Sequence, residues 1–107
     1  MSVRLEKPWR DLTAANVAEL AAELGVYQLA DAAGAVRRIG YAGARSLFGL
    51  RSELQSALAE NRYARFRTEV TSAYLSRFEE LLMVHLADNG ELPDGNAERR
   101  LGRLSPG

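Results

Sequence analysis

The stretch GVYQLADAAGAVRRIGYAG, residues 25–43, decides the fold. Gly25 to Asp31 and Ala35 to Gly43 are rich in β-branched and aromatic side chains. Ala32, Ala33 and Gly34 between them form a short turn, so the two runs are predicted to pair as a β-hairpin. After the hairpin, Ser46 is placed to cap a helix through SLFGLRSELQSALAEN, where Leu47, Leu50, Leu54, Ala57 and Leu58 recur every three or four residues. YARFRTEV, residues 63–70, alternates: Phe66, Thr68 and Val70 fall on one face, and Arg65, Arg67 and Glu69 on a face expected to be wet. SAYLSRFEELLMVHLADNG, residues 72–90, returns to helical period with Tyr74, Phe78, Leu81, Leu82, His85 and Leu86 on one stripe, and Gly90 ends it. Before the hairpin, TAANVAELAAEL predicts a short helix from Thr13 to Leu24, capped by Thr13 or Asp11 and stopped by Gly25.

The expected fold is therefore α+β in the order α-β-β-α-β-α, a small three-stranded antiparallel sheet with flanking helices. Its 107 residues suit one hydrophobic core. The expected domain is 1–96, with a core over 25–96 and an N-terminal helical extension over 1–24. Residues 97–107, rich in arginine, glycine and proline, read as a flexible tail.

Hydrophobic residues at 47% and charged residues at 26% are ordinary for a globular chain. The 14 basic and 14 acidic residues cancel, so any contact with nucleic acid must come from a local patch. The chain has no cysteine, which excludes disulfides, thiolate catalysis and cysteine-ligated zinc. No apolar run approaches the roughly 18 residues of a membrane span. The start lacks a signal-peptide pattern, and the expected location is cytoplasmic, with no membrane partner.

From Gly25 to Asn96 the ordered pieces resemble the GIY-YIG nuclease superfamily, whose domains run hairpin, helix, strand, helix. Gly25-Val26-Tyr27 stands for the first naming motif and Arg38-Ile39-Gly40 for the second, with Arg38 where the family has tyrosine. Arg51 in LFGLRSEL matches the family's helical arginine. Glu79 in FEELLM matches its metal-binding glutamate, and Asn96 in PDGN its closing asparagine.

The resemblance implies a metal-dependent DNA endonuclease that uses Mg2+ or Mn2+ and hydrolyses a phosphodiester by in-line attack of water. Tyr27 would orient or activate the water, Arg51 would stabilise the phosphate, Glu79 would hold the metal and Asn96 would support the site. The phenol of Tyr27 would need a neighbouring cation, which Arg38 could supply. Gly40 and Gly43 would let the backbone approach substrate, and Arg65 and Arg67 would contact phosphates. The alternative is a catalytically inactive module of the same kind, binding nucleic acid or a protein partner, with Arg38 turning an active site into a binding surface.

Ordinary structural roles stand beside each of these. Arg51 lies about 40° from Leu47 on a helical wheel and could simply reach from the core edge to a carboxylate. Glu79 could be a solvated carboxylate, with Glu80 pointing away and paired with Arg77. Tyr41 could partly replace the missing phenol, although it points to the opposite face from position 38. His85 reads as a core histidine, and Trp9 as an anchor for the N-terminal segment.

Overall fold

The structure, a computed structural model, describes residues 4–44 and 46–96. The tail expected over 97–107 lies outside the described residues. The elements are β1 (Arg10–Asp11), α1 (Ala14–Ala18), β2 (Gly25–Ala30), β3 (Val36–Ala42), α2 (Gly49–Glu60), β4 (Arg65–Val70) and α3 (Tyr74–Asn89). The sheet is antiparallel in the order β1-β4-β2-β3. It has four strands rather than three, because two residues after Trp9 pair with Phe66 and Arg65 along the outer edge of β4. So short a strand has no periodicity to reveal it.

The hairpin forms where the sequence places it. Asp31 accepts from the backbone N–H groups of Ala33 and Ala35 at 3.0 Å each, and Gly34 turns the chain with φ +91°. Tyr27 pairs with Gly40 on one side and Thr68 on the other, so β2 is the fully buried strand between β3 and β4.

Side chains alternate between two covered faces. Tyr27, Leu29, Ala42 and Phe66 pack with Val17 of α1 and with Leu50, Leu54 and Ala57 of α2. Val26 and Ile39 pack on the opposite face with Leu5 and Leu81, the latter on α3. The face of β4 expected to be wet is thus partly covered: Arg77 of α3 donates to Glu69 at 2.8 Å and also pairs with Glu80.

Two helices start or stop elsewhere than expected. Thr13 caps α1 through its hydroxyl, 3.1 Å from the Asn16 N–H, but the helix ends at Ala18 instead of running to Gly25. Gly25 is instead the first residue of β2, where an added Cβ would lie 2.2 Å from the Glu69 carbonyl oxygen. Ser46 does not cap α2. The helix begins at Gly49, whose φ of +57° breaks the run before it and brings its backbone against Glu23. Leu47, assigned by spacing to the buried stripe, consequently lies outside the helix and is 81% exposed. The third helix forms and ends where expected, closed by Gly90 at φ +79°, but Leu86 of the expected apolar stripe is exposed. Among the described residues no helix is long and apolar enough to cross a membrane.

Candidate functional site

Tyr27 is the centre of the arrangement. Its ring lies over Gly40, where a Cβ would fall 2.3 Å from both Cζ and Oη, so this glycine makes room for the phenol rather than for an external molecule. The ring is 1% exposed, and its hydroxyl donates towards Glu53 Oε1 at 3.5 Å. Ser46 donates to the other oxygen of Glu53 at 3.1 Å. Gly43 is occupied in the same way, since a Cβ there would meet Tyr74 Cε1 at 2.8 Å.

Arg38 stands on the same face, two register pairs along β3. It donates to Glu60 at 3.0 Å, while its Nε is buried without a hydrogen-bond partner among the described residues. Burial works against the charge. Attraction to Tyr27, the hydrogen bond with Tyr63 and the Glu60 carboxylate outweigh it, so the guanidinium is held above its ordinary range. The guanidinium shares the sheet face of the Tyr27 ring. The same cation is also tied to α2 through Glu60.

Asn96 lies across the outer edge of β3. Its Oδ1 accepts from Ile39 N–H at 2.7 Å and its Nδ2 donates to the Ile39 carbonyl at 2.7 Å. It fixes the strand between Arg38 and Gly40 by mimicking a neighbouring backbone.

The other expected residues go elsewhere. Arg51 points along α2 towards the end of α1 and donates through Nε to the Leu20 carbonyl at 2.8 Å, satisfying an oxygen that the shortened helix leaves open. Glu79 is exposed on α3, the helix packed on the sheet face opposite Tyr27. Arg67 stacks over Trp9 at 4.2 Å and donates to Gln28 at 2.7 Å, and exposed Arg65 lies 4.0 Å from Asp11. Trp9 thus anchors the N-terminal segment, as expected. Tyr41 stacks on Tyr74 at 5.6 Å on the α3 side, away from Tyr27. His85 is half-buried beside a cavity instead of lying in the core, and burial lowers its pKa.

These placements do not fit a magnesium ion shared by Glu79 and a water at Tyr27. The carboxylate and the phenol belong to opposite faces of the sheet, and among the described residues no three acidic or histidine side chains cluster as a metal site. The Tyr27 hydroxyl meets the carboxylate of Glu53, which the sequence pattern did not single out. Its signal was its position three residues after Leu50, but its direction depends on the helix starting at Gly49. Glu53 and Ser46 open onto a cleft of about 440 Å³ whose wall includes Tyr41, Tyr74 and Leu75.

Residues 3–88 match the family described as "Domain of unknown function (DUF7508)", and the chain belongs to it. No curated protein and no solved structure matches the chain.

Proposed function

We propose that this DUF7508 domain is a GIY-YIG-like module that binds a protein partner and does not hydrolyse phosphodiesters. The order of hairpin, helix, strand and helix supports the likeness, as do Gly25-Val26-Tyr27, Arg38-Ile39-Gly40 and the Asn96 contact with Ile39. The observation that carries the non-catalytic reading is the separation of the three residues hydrolysis would require. Tyr27 faces Glu53, Arg51 serves the Leu20 carbonyl, and Glu79 projects from the helix on the other sheet face.

The cleft beside Glu53 favours a protein over a nucleic acid. Its carboxylate repels phosphate and attracts a lysine or arginine, and the rings of Tyr41 and Tyr74 suit the flanking methylenes. Leu47 and Phe48, exposed just beyond Ser46, and Leu75 in the cleft wall add apolar surface of the kind that interfaces bury.

The test has two arms. Purified protein is incubated with plasmid and branched DNA in magnesium or manganese, and a random peptide library is selected on the same protein. The expected results are no cleavage, and enriched peptides with one basic residue between apolar ones that bind Glu53→Gln roughly tenfold more weakly. Cleavage that disappears in Glu79→Ala would overturn the proposal in favour of the metal-dependent nuclease. A salt-sensitive gel shift without cleavage would transfer the role to nucleic-acid binding.

A further inference from the structure

We propose that the α3 face holds a separate site for a small organic monocarboxylate. Arg67 and Gln28 take the carboxylate, and the apolar side chains of Leu5, Val36, Leu81 and Val84 enclose the hydrocarbon part. The space is a cavity of about 700 Å³, within the range that small-molecule sites occupy. It lies across the sheet from Tyr27 and is independent of the function proposed above.

Arg67 is half-buried and has no carboxylate within ion-pair distance among the described residues. Its partners are the Gln28 amide oxygen at 2.7 Å, the Lys7 carbonyl at 3.3 Å and the Trp9 ring. A guanidinium taken from water without a counter-ion is costly, and burial accordingly lowers its pKa, with Glu6 acting weakly the other way. An anion in the cavity would remove that cost.

Gln28 supplies the second donor. Its side chain belongs to a residue only 6% exposed. Because arginine can only donate, the amide oxygen must face Arg67 and the NH2 must face away. That NH2 has no partner among the described residues, and Gln28 lines the cavity. The NH2 is thus a donor open to the cavity, where an acceptor atom can meet it.

The rim sets the charge of the ligand. Arg4 pairs with Asp88 at 2.7 Å, and Arg37 pairs with Asp31 at 2.9 Å and lies 3.8 Å from Asp94, so the cations at the mouth already have partners. Asp88, Glu91 and Asp94 repel a multiply charged phosphate or a nucleic-acid backbone. One carboxylate attached to an apolar body matches both the donors and the walls.

Titration of isotope-labelled full chain with sodium hexanoate, followed by amide and arginine NMR signals, tests the assignment. Hexanol and inorganic phosphate serve as controls. Hexanoate should give saturable shifts at the Gln28 side-chain NH2 and the Arg67 Nε–H. Hexanol should bind roughly tenfold more weakly, and phosphate should give no saturable shift.

Gln28→Glu places a carboxylate against Arg67 in an unchanged shape, so it should keep the remaining spectrum and lose binding roughly tenfold. Arg67→Met, which retains contact with Trp9, should do the same and serves if the first variant fails to fold. Absence of saturation by hexanoate, equal binding of hexanol, competition by phosphate, or unaltered affinity in a folded variant would each overturn the proposal.

Discussion

The face of the sheet that carries Tyr27 and the face that carries Gln28 are made from alternate residues of the same strands, yet they finish differently. On the first, Leu29, Leu54 and Phe66 are fully buried, and Tyr27, Arg38 and Arg51 each end on a contact within the domain. On the second, a cavity of about 700 Å³ remains beside a half-buried arginine and a buried amide. Tyr27 and Arg38 sit on the closed face, where Arg38 Nε is buried without a partner among the described residues, whereas Gln28 and Arg67 line a cavity on the open one. A motif identifies which residues are present; only packing determines whether their polar atoms remain available.

The contrast can be broken most directly with one truncation on each side. Leu54→Ala should destabilise by about 3 kcal/mol, because it leaves a hole in tightly packed surroundings. Leu92→Ala should lose only about 1 kcal/mol, because its side chain lines a space that is already open. Urea unfolding of both variants measures the difference, and equal losses would mean that the two faces are packed alike.

Gly40→Ala sharpens the account of the closed face. Its methyl group would force the Tyr27 ring aside, with an expected loss of about 2 kcal/mol in the same assay. A near-neutral result would show that the ring has other room. Glu60→Gln weakens the pairing with Arg38, a half-buried cation, and should cost about 1 kcal/mol by thermal unfolding. A gain in stability would instead mark that pair as unfavourable.

The smallest expected effect concerns pH on the open face. Burial holds His85 below its ordinary pKa despite Asp88 and Glu91 nearby, so the unfolded chain takes up this proton more readily than the folded one. Stability should therefore fall as pH drops through about 6.5 and on to the lower folded value. His85→Gln should flatten that part of a Tm–pH profile. Asp31 is held low by the Ala35 N–H and then Arg37, and Asp88 by Arg4; both contribute stability that is lost only in stronger acid.

Much of this architecture was legible in the sequence. The hairpin, the strand from Arg65 to Val70 and the helix ending at Asn89 follow from periodicity and from glycines at turns. The start of α2 did not, because Gly49 has a positive φ that depends on Glu23 lying against it, a contact distant in sequence. The role of Arg51 was hidden for a related reason: the carbonyl it meets is free only because α1 stops at Ala18. Arg38 could be singled out from its neighbours in the motif, whereas its partner Glu60 lies 22 residues away and carries no local signal. The Arg67–Gln28 contact likewise joins two strands that sequence spacing cannot bring together.

The two hydrogen bonds from Asn96 also bear on how copies of the domain coexist in solution. β3 is an outer strand, and an outer strand with free backbone groups invites a second chain to add itself to the sheet. Asn96 occupies the N–H and the carbonyl of Ile39, in the middle of that border. One asparagine side chain thereby acts as a stopper against sheet extension, a task separate from holding the fold together or shaping a binding site.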